Sequence, residues 1–136
     1  MKKGFWGLPG TLMLLAAIFA AGHACTKNSD TLKPGSDEYR EAENSYWHYC
    51  ASCHGRDGKG HGMMASTAPI PPRDHTDPAV IGRRSDEELF KIIKDGGEAA
   101  GLDAAMPPHK TLLKDEEIRG VVKYLRNLCN CKYAAR

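Results

Sequence analysis

The sequence predicts an all-α domain built from three main helices. Three stretches carry apolar residues at three- and four-residue intervals, which is the period of an amphipathic helix. No stretch alternates apolar and polar residues as a half-buried strand does, and no internal repeat is present. The 136 residues are enough for one modest domain.

The first helix is predicted to begin after Ser36, because serine is a favoured N-cap. Asp37 and Glu38 would lie in its first turn, where acidic residues complement the helix dipole. Gly55 is predicted to end the helix. The apolar positions that recur at helical spacing are Tyr39, Ala42, Tyr46, Tyr49 and Cys53.

The first helix runs into Cys50-Ala51-Ser52-Cys53-His54, which is the attachment pattern of a c-type haem. Two cysteines separated by two residues bring both thiols to one edge of a flat ring, where each can bond a vinyl carbon. The next residue then points its imidazole at the iron, so His54 would be the proximal ligand. We therefore expect one covalently bound haem c, attached through Cys50 and Cys53.

Three other interpretations compete for these residues. Cys50 and Cys53 could form a local disulfide. They could also be a thioredoxin-like redox pair, although that motif lies beside a βαβ pattern and none is present. With Cys129 and Cys131 they could hold zinc through four thiolates, which is the strongest rival. The histidine directly after Cys53 favours haem.

The segment from Arg56 to Pro78 is predicted to be an irregular loop, since it is rich in glycine and proline. Loops this long in a compact domain are usually functional, and wrapping one edge of a haem would be such a function. The glycines and prolines concerned are Gly55, Gly58, Gly60, Gly62, Pro69, Pro71, Pro72 and Pro78.

The second helix is predicted to begin after Ser85, where Ser85-Asp86-Glu87-Glu88 has the pattern of a capping box. Gly96-Gly97 would end it. The loop that follows, residues 98–110, contains Met106-Pro107-Pro108-His109. The apolar face of the helix would consist of Leu89, Ile92 and Ile93, flanked by Phe90.

The third main helix is predicted to run from about Asp115 to Leu128. Acidic residues at 115–117 and Arg126 near the C-terminal end both complement the helix dipole. Lys114 stands at the N-cap position, where serine or threonine is common. The apolar positions at helical spacing are Ile118, Val121, Val122, Leu125 and Leu128.

Residues 1–24 have the pattern of a secretory signal peptide. Lys2 and Lys3 make a positive n-region, an apolar stretch follows, and small residues precede Cys25. Because haem is attached to c-type cytochromes outside the bacterial cytoplasmic membrane, export agrees with the haem motif and predicts a periplasmic or otherwise exported protein. An uncleaved membrane anchor is the alternative, although the stretch is barely long enough to span a bilayer.

Cys25 is predicted to be the first mature residue of a bacterial lipoprotein, with its lipid as a membrane anchor. Residues 25–35 would then be a flexible linker, residues 36–131 the domain and residues 132–136 a C-terminal tail. The match is imperfect, because Gly22 stands where such signals usually have an aliphatic residue. Ordinary cleavage nearby, which leaves Cys25 as a thiol or disulfide partner, is the alternative.

The charge of the mature chain argues against nucleic acid as a partner. Lys2 and Lys3 are the only charged residues before Cys25, and without them 17 of the 19 basic residues remain against 17 acidic ones. No basic run or basic-aromatic stripe is present.

With these elements placed, residues 36–128 resemble a class I monohaem cytochrome c of the small bacterial type, which also occurs as a subunit or domain of respiratory complexes. The resemblance implies the cytochrome c fold, with three main helices around one covalently bound haem c. It also implies an electron carrier rather than an enzyme, with redox proteins such as membrane respiratory complexes as donor and acceptor. The segments that carry it are 46–55, 57–60, 72–74, 106–108 and 116–126.

The resemblance implies His54 as the proximal and Met106 as the distal ligand of the iron. A thioether is a soft ligand that favours ferrous iron, so this pair raises the reduction potential. Two filled axial sites also keep oxygen and peroxide from the metal. The alternatives for the distal position are Met63, Met64, His109 or an open site.

Two further contacts follow from the resemblance. The proximal imidazole would donate to a proline carbonyl in the loop, and Pro69, Pro71 and Pro72 all qualify by position. Arg73 would meet a haem propionate as a charge-assisted pair, with a solvated arginine as the alternative.

Cys129-Asn130-Cys131 departs from the family pattern. A disulfide across one intervening residue is strained, yet free thiols rarely persist in an oxidising compartment. A link from one of them to Cys25 or to another chain is the alternative.

Two other functions stay open at this point. A haem-based ligand sensor or catalytic subunit would need a distal site that opens, and no distal acid-base pair is obvious. A zinc-stapled structural domain would be colourless and would unfold with a chelator.

Overall fold

The computed structural model describes residues 31–134. The predicted signal peptide, Cys25, the linker residues up to 30 and the last two residues lie outside this range. The described residues form no β-strand, so the all-α prediction is confirmed for them. Their α-helices are α1 (Asp37–Tyr49), α2 (Ala51–His54), α3 (Pro78–Ile81), α4 (Asp86–Asp95) and α5 (Asp115–Cys129), with 3-10 turns at Ala65–Thr67 and Glu98–Ala100.

The core lies where α1 and α4 pack against α5. α1 and α5 approach closely at small residues, since a methyl group on Gly120 would lie only 3.6 Å from Ala42 Cβ. Burying this apolar surface is the main force that holds the helices together. The buried apolar residues are Leu32, Ala42, Tyr46, Ile81, Leu89, Phe90, Ile92, Ile93, Leu113, Ile118, Val121, Val122, Tyr124, Leu125 and Cys129.

The first predicted helix is divided into α1 and α2 at Cys50. The predicted start is confirmed, since Ser36 Oγ accepts from Tyr39 N at 3.2 Å. Cys50 caps α1 by donating its N–H to Tyr46 O at 2.8 Å, and one further turn then ends at Gly55, whose φ is +78°. The break places Cys50 between the two helices and Cys53 within α2, which the periodicity did not predict.

The second and third predicted helices, α4 and α5, have the predicted bounds to within a residue. α5 lacks a side-chain N-cap at Lys114, and the Glu117 carboxylate instead accepts from Lys114 N at 2.8 Å. The short helix α3 was not predicted. The sequence does contain two helix-start signals there, Asp77 as N-cap and Pro78 at the first helical position. The glycine- and proline-rich composition of the surrounding loop obscured them.

The packed part of the chain begins before Ser36. Leu32 is buried in the core, and its backbone forms two hydrogen bonds with the Asn127 side chain, each 2.8 Å long. The segment predicted as a linker to residue 35 is therefore attached to α5 from Leu32 onward.

Arg126 ties three elements together from inside the core. The sequence suggested a dipole role at the end of α5, but the side chain is fully buried. Its guanidinium donates to Asp86 Oδ1 in α4 at 2.8 Å and to the carbonyls of Ile81 and Arg84 at 2.9 and 2.6 Å. One charge thus joins α5 to the end of α3 and the start of α4.

Cys129 and Cys131 form a disulfide with a Cα–Cα distance of 5.1 Å. Asn130 between them adopts the left-handed conformation that ends α5. This pairing answers the question that the sequence left open for these two cysteines.

Within residues 31–134, no helix is both long and apolar enough to cross a bilayer.

Candidate functional site

Cys50 and Cys53 are half-buried and carry no disulfide. Burial, with the neighbouring Cys53 as a smaller cause, raises the pKa of the Cys50 thiol to about 12. The local-disulfide interpretation is therefore wrong. The four-thiolate zinc site also loses two of its ligands to the Cys129–Cys131 disulfide. In the part of the chain that the structure describes, no three His, Cys, Asp or Glu side chains lie together as a metal site.

The His54 imidazole is oriented by a backbone carbonyl. Its Nδ1 donates to Arg73 O at 2.9 Å, which leaves Nε2 as the nitrogen with a free lone pair. Burial lowers the pKa of His54, against the smaller opposing effect of this hydrogen bond. A neutral imidazole with one engaged nitrogen is the form that binds a metal.

The predicted proline carbonyl is wrong by one residue, because the acceptor belongs to Arg73. The Pro72 carbonyl faces Gly60 instead, so closely that a methyl group on Gly60 would collide with it. The Arg73 side chain is exposed, and its contact with a haem propionate stays a prediction.

The glycine-rich loop wraps the C-terminal end of α2. Gly60 N donates to His54 O at 2.7 Å, Gly62 N to Cys53 O at 3.0 Å, and Met64 N to Ser52 O at 2.7 Å. These bonds satisfy carbonyls that a helix end leaves without partners. The loop thereby fixes the backbone that carries the haem motif.

Gly60→Ala should test how tightly this loop is held. Gly60 has φ +82° and faces the Pro72 carbonyl, whereas Gly35 has φ +81° and open space around its Cα. We expect Gly35→Ala to lower the free energy of unfolding by about 1–2 kcal/mol, because alanine is strained in the left-handed conformation. Gly60→Ala should lower the free energy of unfolding by about 1–3 kcal/mol more than Gly35→Ala, because its methyl group would collide with the Pro72 carbonyl.

The measurement is denaturant unfolding of the haem-loaded protein in both variants. Equal losses in the two variants would show that the loop moves away from Pro72 without cost.

Met106 is held near the same core by its backbone. Gly97 N donates to Met106 O at 2.9 Å, and a methyl group on Gly97 would lie 3.3 Å from Met106 Cβ. Further along the loop, His109 N and Lys110 N each donate at 3.1 Å to the carbonyls of Ile93 and Lys94 at the end of α4. The half-buried Met106 packs against the buried core residues.

The alternative ligands lie in different surroundings. Met63 is 94% exposed and Met64 is 49% exposed, so neither contributes to the core. His109 is buried, with Nδ1 3.3 Å from Ile93 O. Its charge is close enough to His54 to influence the pKa of that residue.

The structure adds a contact between His75 and the haem motif that the sequence did not indicate. His75 is buried and stacks on the His54 ring, with centroids 4.0 Å apart and planes 20° from parallel. Its Nδ1 is hydrogen-bonded to the Tyr46 hydroxyl at 2.9 Å. Burial, followed by the His54 charge, lowers the pKa of His75 to about 3, so this ring is neutral near pH 7. No local pattern in the sequence signals the burial of His75.

The residues of the site fit a haem c. Cys50 and Cys53 have thiols without a disulfide. The His54 imidazole is bonded to Arg73 through Nδ1 and keeps Nε2 free, and the Met106 thioether belongs to a side chain that packs on the core. Soft sulfur and imidazole are the ligands that haem iron takes in electron carriers.

Comparison with known proteins agrees with this fit. The family model described as cytochrome c oxidase, cbb3-type, subunit III matches residues 37–125, which is well over half of the chain. Among curated proteins, none matches the chain.

Several solved structures share the fold. The chain is similar to the Kuenenia stuttgartiensis reducing HAO-like protein complex Kustc0457/Kustc0458, with a TM-score of 0.53, 27% identity, and coverage of 65% of this chain and 41% of that chain. It is also similar to the KustC0563 c-type cytochrome, with a TM-score of 0.50, 24% identity, and coverage of 67% and 96%. Cytochrome CL from Methylophaga aminisulfidivorans gives a TM-score of 0.51, 20% identity, and coverage of 69% and 55%.

The chain thus spans about two fifths of the first of these proteins and about half of the third. The second and third, being less than 25% identical, show the fold alone. With the family match over the three main helices and the CxxCH spacing of Cys50 and Cys53, the cofactor is a covalently bound haem c. The chain belongs to the family of cytochrome c oxidase, cbb3-type, subunit III, and is a small c-type cytochrome with a role in electron transfer.

Proposed function

We propose that the chain is a single-haem electron carrier whose iron is ligated by His54 and Met106. The observation that carries the proposal is the hydrogen bond from His54 Nδ1 to Arg73 O, which leaves Nε2 to bind the metal. When bound, the haem supplies a one-electron ferric/ferrous couple. The protein would pass this electron between partners without making or breaking bonds in a substrate.

Each residue has a distinct part in this proposal. Cys50 and Cys53 hold the haem covalently, so that it stays bound in both oxidation states. His54 is held in one tautomer by the Arg73 carbonyl, which also makes the imidazole more basic. Met106 is supported because its carbonyl is bonded to Gly97 and the loop after it is bonded to the end of α4, whereas Met63 and Met64 are exposed. A rigid pair of ligands keeps rearrangement between the two oxidation states small.

Denaturation and redox titration of the purified protein test this function together. We expect the red colour to remain with the polypeptide after denaturation and extraction, because thioether bonds do not dissociate. We also expect one reversible one-electron transition per chain. Loss of the colour on extraction, or turnover of peroxide by the protein at enzymatic rates, would contradict the proposal.

Redox proteins are the proposed partners, as electron donor and acceptor. The Kuenenia stuttgartiensis neighbour is named as part of a protein complex, which supports an assembly role for domains of this fold. The mature chain is nearly neutral, so electrostatic steering toward such partners would be weak. Membrane respiratory complexes are the class that the family resemblance favours.

We further propose that the protein is exported and anchored by a lipid on Cys25. The support is the sequence alone, from the n-region lysines and apolar stretch to the polar segment after Cys25. A Cys25→Ser protein whose signal peptide has been cleaved should pass from the membrane fraction into the soluble periplasm, because the lipid would be the only anchor of the mature protein.

Cell fractionation and mass spectrometry of the mature N-terminus provide the measurement. A diacylglyceryl mass on Cys25 in the unmodified protein is expected. An unmodified cysteine at the mature N-terminus, or membrane retention of a Cys25→Ser protein whose signal peptide has been cleaved, would rule out the lipid anchor.

A further inference from the structure

The His54 ring is in contact with a second histidine ring on one of its faces. His75 lies 4.0 Å from it, centroid to centroid, with the two planes 20° from parallel. At this separation the rings are in van der Waals contact over their faces rather than at their edges. A face-to-face neighbour restricts how His54 can turn.

The hydrogen bond to Arg73 cannot provide that restriction alone. Nδ1 is bound to the carbonyl, and Nε2 is the proposed iron ligand on the far side of the ring. The torsion about the Cβ–Cγ bond of a histidine is broad, so these attachments restrain the tilt of the imidazole plane only softly. A flat group packed against the face of the ring limits this tilt.

His75 is itself held in place from three sides. Its backbone N–H donates to Gly58 O at 2.7 Å. Gly58 packs so close that a methyl group there would lie 3.4 Å from His75 Cβ and 3.0 Å from Leu128 Cδ1. The imidazole Nδ1 is hydrogen-bonded to the Tyr46 hydroxyl at 2.9 Å, and Tyr46 is fully buried in the core of α1 and α5.

We propose that Tyr46 and His75 are a positioning pair that fixes the plane of the His54 imidazole against the haem. The inference rests on the proposed ligation of the iron by His54 and deepens that proposal. Tyr46, which is fixed in the α1–α5 core, holds His75 in place through its hydroxyl, and His75 in turn restrains the His54 ring. Because overlap of the imidazole π orbitals with the iron d orbitals depends on the ring plane, the pair tunes the electronic structure of the ferric iron.

Three substitutions in the haem-loaded protein separate the parts of the pair. His75→Leu removes the flat face, His75→Phe keeps a flat face without the hydrogen bond, and Tyr46→Phe removes only the hydroxyl. Electron paramagnetic resonance of the ferric protein reports the ring plane through the spread of its g-values. Thermal unfolding, recorded in parallel, reports stability alone.

We expect His75→Leu to shift the g-values or split them into two sets, which correspond to two ring orientations. His75→Phe should restore a single set near that of the unmodified protein, and Tyr46→Phe should broaden the signal. His48→Leu is the control, because His48 is an exposed residue of α1 that contacts Tyr49 rather than His54. It should leave the g-values unchanged.

Unchanged g-values in His75→Leu, together with an unchanged line width in Tyr46→Phe, would overturn the positioning pair, whatever the effect of these variants on unfolding temperature. If His75→Leu does not fold, a Tyr46→Phe signal with unchanged g-values and unchanged line width suffices to overturn it. Failure of the underlying function has a different signature. An unmodified ferric protein that lacks a low-spin signal would show that His54 and Met106 do not both bind the iron.

Discussion

Met106→Ala is expected to lower the reduction potential and to open the iron to carbon monoxide. The thioether stabilises ferrous iron, so its loss favours the ferric state. Axial ligands set haem potentials over a range of about 0.8 V, and we expect a fall of at least about 0.1 V within it. The two measurements are a redox titration and the visible spectrum of the reduced variant before and after addition of carbon monoxide.

Met63→Ala is the matched control, because Met63 is a methionine of the same domain that is 94% exposed. It should keep the potential of the unmodified protein and should not bind the gas. If Met63→Ala or Met64→Ala reproduced the expected behaviour of Met106→Ala and the Met106 variant did not, the distal ligand would lie in the loop after the haem motif.

Arg126→Met should produce the largest loss of stability among single substitutions away from the haem. The guanidinium is fully buried and donates to Asp86 and to the carbonyls of Ile81 and Arg84. Its removal leaves these acceptors unpaired at the junction of α3, α4 and α5. The Asp86 side chain is 47% exposed, so we expect the loss to come mainly from the two carbonyls, at about 1–3 kcal/mol for each buried acceptor left without a donor. Denaturant unfolding of the haem-loaded protein measures the loss.

Arg119→Met is the control for this prediction. Arg119 also lies on α5 and also pairs with an acidic residue in the first turn of α4, since its Nη1 is 3.3 Å from Glu87 Oε2. Both partners are exposed, however, and an exposed pair contributes about 0–1 kcal/mol. Comparable losses in the two variants would show that the buried network does not stabilise the junction beyond an ordinary surface pair.

The helices could be predicted because their signals are local. The capping box at the start of α4 forms as the sequence indicated, with Ser85 N donating to Glu88 Oε2 at 2.7 Å and Glu88 N to Ser85 Oγ at 3.2 Å. The apolar spacing of α5 likewise matches the residues that the core buries. The haem motif is also local, since its five residues are contiguous.

The surroundings of the motif could not be predicted because they depend on residues far apart in the chain. The hydrogen bond of Tyr46 to His75 joins residues 29 positions apart, and that of Leu32 to Asn127 joins residues 95 apart. Neither His75 nor Asn127 stands at a spacing in the sequence that signals burial. The acceptor for His54 also depends on packing between distant residues, since the Pro72 carbonyl faces Gly60 and the Arg73 carbonyl accepts from the imidazole.

The visible spectrum of the reduced, unmodified protein before and after addition of carbon monoxide tests the central claim most directly. If His54 and Met106 both bind the iron, a low-spin haem c spectrum will remain unchanged when the gas is added. A clear shift on addition of carbon monoxide would show a vacant or weakly held distal site. That result would contradict the two-ligand electron carrier and favour a function in ligand sensing or catalysis.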